Sequence, residues 1–306
     1  MLQARPPRAM RGALPPPSSG TSLDSTALLL VLASALFHAA WNAMLKHHGD
    51  PDSALVGVIS VAVVCGGLWA LGLQGPAFAN PHALAWTLGS GVLDCAYLVT
   101  LAYSLRSAPL GLAYTVARGG ALLLVWPASV LWLGEALWPL AVLGAASVAV
   151  GLAVMNLQRP PPGVGRGVLW ALVSGACIAA FNLGYKRALS EGAQPPAVFA
   201  ISLAVALPPM VLLRWRAEAG WGELGRKLCS RPLLVATAGV VCTLSFALML
   251  MALVRSDPGA VLTLRNTSIA FAVGLGALQS ERLGRRQLAG VALVVLGAVL
   301  LGLPRS

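Results

Sequence analysis

The sequence predicts an all-α polytopic membrane protein, with ten transmembrane helices arranged as two inverted five-helix repeats. Three observations carry that expectation. Of 306 residues, 58% are hydrophobic and only 10% are charged, whereas a soluble domain needs roughly 25% charged residues to cover its surface. The apolar residues gather in ten runs, most of them near the ~20 residues that cross ~30 Å of hydrocarbon. The second half of the chain also repeats the polar landmarks of the first, in the same order.

Residues 1–25 carry Arg5, Arg8, Arg11 and a run of three prolines, the composition of a disordered basic tail. A signal peptide does not fit, because the next apolar segment is too long and lacks a small-residue cleavage end. Asp24, Ser25 and Thr26 supply helix-cap chemistry ahead of the first run. The runs span about 26–45, 54–73, 84–105, 112–133, 140–155, 168–184, 197–213, 233–254, 259–278 and 288–303. Helices must do the spanning, since unpaired backbone groups cannot face lipid. Pro127 and the Pro208-Pro209 pair interrupt helical hydrogen bonding, so kinks are expected there. No intervening segment is long enough for a soluble domain.

The net charge of +11 comes from 21 Lys and Arg against 10 Asp and Glu. The positives sit at the ends of apolar runs rather than in a stripe interleaved with aromatics, which excludes nucleic acid as a partner. Five cysteines, Cys65, Cys95, Cys177, Cys229 and Cys242, lie mostly within the runs and without C-x-x-C spacing, a pattern of free thiols rather than a disulfide framework or zinc site. The Asn266-Thr267-Ser268 sequon lies inside an apolar run, and His47-His48-Gly49-Asp50 lies in a short loop without a remote ligand set. No phosphate loop, catalytic triad or H-E-x-x-H occurs. Neither a metal nor a cofactor is expected.

The repeat is read from residues. Trp41-Asn42 and Lys46 align with Phe181-Asn182 and Lys186 at an offset of 140. Arg106-Ser107-Ala108-Pro109 aligns with Arg255-Ser256-Asp257-Pro258 at 149, and Arg118 with Arg265 at 147. Glu135, Gly144 and Gly151 align with Glu281, Gly290 and Gly297 at 146. A unit of five helices reverses orientation, so the halves, 26–157 and 166–303, are inverted relative to one another. Such repeats place a binding site at the midplane where they meet. The seven-residue spacing of each glycine pair puts both on one helix face, suited to close packing.

Two five-helix units, each opening with aromatic-Asn-x-x-x-Lys and closing with a Glu-x-Leu turn, resemble the EamA-like branch of the drug/metabolite transporter superfamily. Arg118-Gly119-Gly120 with Leu133-Gly134-Glu135 resembles its fourth helix, and Leu264-Arg265-Asn266-Thr267-Ser268 its ninth. The resemblance covers about residues 26–303 and implies a ten-helix bundle that moves small metabolites by alternating access.

Polar residues inside apolar runs are costly and are functional candidates. His38, Asn42 and Lys46 recur every four residues along one side of the first helix, although Lys46 at the membrane edge also suits snorkelling and Asn42 or Asn182 also suits interhelical packing. Asp94 is the one acid deep in a run, about 15 Å along its helix, with Tyr97 and Ser104 on the same arc. Its repeat equivalent is Thr243. Asp94 is either a proton carrier or a structural partner for an arginine. Arg118 and Arg265 lie about 13 and 10 Å into their helices, so two deep cations face one deep anion. An anionic substrate group is expected to supply the missing partner, held in the planar guanidinium fork; backbone carbonyls and water are the alternative. Tyr114 lies one turn before Arg118. The candidate substrate-binding set is therefore His38, Trp41, Asn42, Tyr97, Tyr114, Arg118, Asn182 and Arg265, with Asp94 for proton coupling.

The expected function is transport of a small polar metabolite, an amino acid or other organic anion, in the direction of efflux across the cell membrane. The rival readings are a polytopic enzyme on lipid-linked substrates and a transport-inactive sensor or scaffold. The partners are the substrate and the bilayer, with a homodimer compatible. Counting cations by side gives seven with the termini and twelve opposite, so the positive-inside rule favours termini outside. The family resemblance implies termini inside, and the expectation follows it.

Overall fold

The computed structural model describes residues 24–108, 110–156, 164–218, 220–278 and 284–303. The basic tail and the turn carrying Glu281 lie outside the described residues. Among those described the chain is all-α, with twelve α-helices and one π-helical turn; a lone bridge between Phe78 and Ala193 is the sole extended pairing. The helices are α1 (Ser25–Lys46), α2 (Pro51–Leu71), α3 (Pro81–Ser107), α4 (Leu110–Ala128), α5 (Pro139–Asn156), α6 (Gly165–Ser190), α7 (Pro195–Ala217), α8 (Trp221–Leu228), α9 (Pro232–Arg255), α10 (Pro258–Arg265), α11 (Ser268–Leu278) and α12 (Arg285–Gly302). Seven of the described helical segments are long and apolar enough to cross a membrane, and two shorter apolar helices lie at Pro139–Val154 and Leu288–Leu301.

The helices start where local chemistry supplies a cap. Asp24 accepts from the Thr26 amide at 3.2 Å, Asp50 from the Ser53 amide at 3.0 Å and Asn80 from the Ala83 amide at 2.9 Å. Proline opens α2, α3, α7, α9 and α10, where its missing N–H costs nothing. α6 and α7 start without a side-chain cap.

The described residues form twelve α-helices rather than ten unbroken ones. The apolar run 259–278 divides into α10 and α11, because Asn266 donates its side chain to the Leu262 carbonyl at 3.1 Å and Thr267 to the Leu264 carbonyl at 2.7 Å. Side chains that bond local backbone in this way compete with the helical ladder. The stretch between α7 and α9 also holds α8, whose Leu224 is buried while Glu223 and Arg226 pair on its outer face. Pro127, where sequence predicts a kink, lies inside α4, which passes at its end into a π-turn, Ser129–Leu133, closed by Gly134 at φ 70°.

The helices pair as α1 with α9, α3 with α6, α2 with both α7 and α9, α3 with α7, and α5 with α12. Small residues permit these contacts. A Cβ on Gly144 would lie 2.8 Å from the Gly297 carbonyl, and one on Gly151 would lie 2.7 Å from the Gly290 carbonyl, so the two glycine pairs of α5 and α12 face each other. Across α1 and α9, Ser34 and Ser245 each donate to the other's carbonyl, at 2.7 and 2.9 Å. Large apolar side chains such as Leu29, Val64, Leu68, Leu123, Leu143 and Leu233 cover the outside, the inverse of a soluble surface and suited to lipid.

The helix ends meet in two groups. One joins Asp24 to Arg255, Asn80 to Glu191 and Glu135 to Gly259. The other joins the α1–α2 turn to the ends of α7 and α8 through Asp50, Arg214, Glu218 and Lys227.

Candidate functional site

His38 projects from the middle of α1 between two arginines. Its Nε2 lies 2.9 Å from an Arg118 nitrogen, and its Nδ1 lies 3.4 Å from an Arg265 nitrogen. A guanidinium only donates, and a neutral imidazole has one lone pair and one N–H. One of these two contacts can therefore be a hydrogen bond. Distance assigns it to Arg118, which leaves the Nδ1–H facing Arg265, donor against donor.

Among the described residues, the other hydrogen-bond and ring contacts of both arginines are with neutral groups. Arg118 donates to Asn266 Oδ1 at 3.3 Å and Ser268 Oγ at 3.4 Å. Arg265, buried on α10, reaches the Met249 sulfur and lies 4.4 Å over the Phe246 ring. The break between α10 and α11 brings this about: it places Arg265 and Asn266 on the last turn of one helix and Ser268 on the first turn of the next. Trp41 stands edge-on to His38 at 5.4 Å, its ring buried and its Nε1 without a hydrogen-bond partner. Together these groups form a centre with two permanent positive charges and a surplus of donors.

A second buried polar group lies on α3 and α6. Asp94 is buried and accepts from the Tyr185 hydroxyl at 3.2 Å, and Tyr185 also lies 3.2 Å from the Ser202 hydroxyl of α7. Arg265 acts on Asp94 electrostatically, so the two groups share one field. Tyr97 packs its ring 5.9 Å from Phe181, which lies 5.4 Å from Tyr185.

The expected site residues thus divide. His38, Trp41, Arg118 and Arg265 come together in one centre; Asp94 and Tyr97 lie beside it on α3. Asn42 and Asn182 donate to the carbonyls of His38 and Ile178 on their own helices, each at 2.7 Å. The side chain of Tyr114 lies outside the described residues, as does that of Lys46. Phe246, Met249, Ser202, Ser268 and Tyr185 were not singled out by sequence. Tyr185 did carry a signal, since it lies within the Phe181-to-Lys186 motif, whereas Ser202 is one serine in an apolar run.

Both ends of the bundle carry polar closures. Burial pushes the Glu135 carboxyl up to about 7, although the Ser129 hydroxyl and the Gly259 amide, at 3.2 Å, both donate to it. Its turn position agrees with sequence, and its carboxyl is buried against the protein. Nearby, Lys186 donates to the carbonyls of Leu253 at 2.8 Å and Ser256 at 2.9 Å, completing the C-terminal end of α9. Trp126 donates to Thr263 at 3.0 Å. At the other end, burial opposes ionisation of Asp50, but Lys227, the Ser53 amide and Arg214 outweigh it and hold the carboxyl down at about 2. Among the described residues no group of three His, Cys, Asp or Glu is placed to hold a metal ion.

The second half of the chain is EamA-like: residues 165–303 match the model of the EamA-like transporter family, part of the drug/metabolite transporter superfamily. No curated protein matches. A solved crystal structure, described only as that of a protein, superposes with a TM-score of 0.70 at 22% identity, covering 90% of this chain and 96% of its own. At that identity the likeness is one of fold. Seven described helices are of spanning length, and the chain is an integral, multi-pass membrane protein.

Proposed function

We propose, from the EamA-like transporter match of residues 165–303, that the chain is a secondary transporter of a small organic anion. In this reading it exports its substrate across the plasma membrane by alternating access, with proton coupling through Asp94. The observation that carries the anionic substrate is His38 between Arg118 and Arg265. A carboxylate or phosphate group there would accept from both guanidiniums and from the Nδ1–H, replacing a donor–donor contact by charge-assisted bonds. Such a group would also supply the counter-charge that the buried Arg265 and the half-buried Arg118 call for.

In the same reading the chain spans the membrane ten times as two inverted units, 26–157 and 166–303. The α4–π segment and the α10–α11 segment each count as one span, and α8 lies on a face. The pairings of the helices support this. Exchanging each helix for its repeat equivalent turns the α1–α9 contact into α6–α3, turns α3–α7 into α9–α2, and returns α2–α7 and α5–α12 to themselves. The centre then sits where the units meet, as in other inverted-repeat transporters. The termini face the cytoplasm in this reading, which protease access to a terminal tag in sealed vesicles would test.

The test is a thermal-shift screen of the purified protein against hydrophilic carboxylates, amino acids and phosphate esters, followed by flux of the hits into liposomes. Arg118→Gln and Arg265→Gln are expected to lose both the thermal shift and the flux, by 10-fold or more, from about 1.4 kcal/mol or more of lost charge-assisted bonding. Variants that fold normally and transport at the parental rate would remove the anion centre from the mechanism.

A further inference from the structure

Asp94, Tyr185 and Ser202 form a hydrogen-bonded chain in which every group is buried. Gly91, one turn before Asp94, makes the chain possible: a Cβ there would lie 2.7 Å from the Ser202 carbonyl, so glycine lets α7 press its Ser202 turn against α3. The chain ends at the Val198 carbonyl, which accepts from the Ser202 hydroxyl.

Counting hydrogens gives the chain a direction. Tyr185 and Ser202 own one hydroxyl hydrogen each, and a carboxylate owns none. When Asp94 is protonated, its O–H points to Tyr185, Tyr185 points to Ser202 and Ser202 points to Val198, so the Tyr185 and Ser202 hydroxyls each have one donor and one acceptor role. When Asp94 is ionised, Tyr185 must turn to the carboxylate. Ser202 then loses its donor, and its contact with Tyr185 holds no hydrogen unless Ser202 abandons Val198.

We infer that Tyr185 and Ser202 are positioning residues of opposite effect on one proton-binding unit, with Tyr185 favouring the ionised form of Asp94 and Ser202 the protonated form. The inference rests on the reading of Asp94 as the coupling acid and adds the groups that set when it takes its proton. Protonation forms an O–H bond on Asp94 Oδ2 while a hydronium ion on the proton-rich side becomes water; nothing is oxidised or reduced. The groups facing Asp94 are few. Arg265 of α10 is charged, and Tyr185 of α6, Cys242 of α9 and Cys95 of its own helix are titratable; α7 presents the uncharged Ser202. The phenol and thiols ordinarily titrate above neutrality, so a change between pH 5 and 8 reports Asp94.

The test needs no substrate. The full-length protein, in phosphatidylcholine–phosphatidylglycerol vesicles, is titrated while infrared difference spectroscopy follows the protonated-carboxyl C=O band that Asp94→Asn abolishes. Tyr185→Phe is expected to move the midpoint of that band up by about one pH unit, because a hydrogen bond to a charged group is stronger than one to its neutral form. Ser202→Ala is expected to move it down by about half a unit, because only the protonated form uses Ser202 as acceptor. A general loosening of the site would move both variants the same way. Shifts of one sign, no shifts, or a band that survives Asp94→Asn overturn the inference. Should Tyr185→Phe fail to fold, the sign of the Ser202→Ala shift decides alone. Gradient-driven flux is measured separately: flux unchanged by Asp94→Asn, alongside opposite shifts, would remove the coupling role and leave the proton-binding unit in place.

Discussion

Glu135 shows how one residue's surroundings set a measurable property. Its carboxyl is buried at the start of α10 and titrates at about 7, against an ordinary 4.5. A raised acid favours the native state when protonated, so its contribution is full below pH 4.5 and falls away as pH rises to about 7. The loss is on the order of 3 kcal/mol. The thermal stability of the detergent-solubilised protein should fall between pH 5 and 7.5, and Glu135→Gln, which keeps an acceptor for Ser129 and Gly259, should flatten that slope. An identical slope in the variant would assign the effect to another group. Sequence located Glu135 in a short turn but not in the interior, because burial there depends on α10 packing over it from more than 120 residues away. Arg118, Arg265 and His38 were legible because charge inside an apolar run is costly wherever the run folds. Ser202 and Phe246 were not, since a serine or phenylalanine costs little in such a run.

At the scale of the element, the glycine spacing of seven announced a close contact for α5 and α12 but not that the two helices would be each other's partner. Antiparallel docking brings Gly144 to Gly297 and Gly151 to Gly290 at backbone distance, where dispersion contacts rather than water exclusion hold helices together in lipid. Gly151→Leu is expected to lower stability by about 2 kcal/mol or more through overpacking. Gly274→Ala on α11, where a new Cβ meets nothing within 4 Å, should be neutral or gain up to about 1 kcal/mol from helix propensity. Equal effects at the two positions would refute the packing role of the α5–α12 seam. The division of α10 from α11 escaped sequence reading because neither proline nor glycine marks it. Asn266 and Thr267 break the helix with their side chains, and the same pattern elsewhere, as at Asn182, leaves a helix whole. Asn266 differs in that its side chain also accepts from Arg118, at 3.3 Å.

Across the whole molecule, the polar contacts at the two ends are unequal, and the proposed alternating access would require that each can open. On the face opposite Asp24, Arg214 and Lys227 are shared between Asp50 and Glu218, joining the α1–α2 turn to α7 and α8. Asp50 titrates at about 2, so the stabilisation it gives is complete above its ordinary 3.8 and is lost only as pH falls through 2. Acidification to pH 5 should leave this face unchanged, whereas it should strengthen the end that contains Glu135. Removing a shared cation acts differently, because Arg214→Gln leaves two carboxylates competing for Lys227. In a Cys229→Ser background, which removes the exposed native thiol of this face, a cysteine at the buried Ala54 reports opening through its reaction with a membrane-impermeant maleimide. Arg214→Gln is expected to speed that reaction about 10-fold, equivalent to about 1.4 kcal/mol of lost closure. Isolated surface ion pairs give 0–1 kcal/mol, so an increase of this size requires the four groups to act as a network. Equal rates with and without Arg214 would show that helix packing alone closes this face, and would move control of access to the Glu135 end.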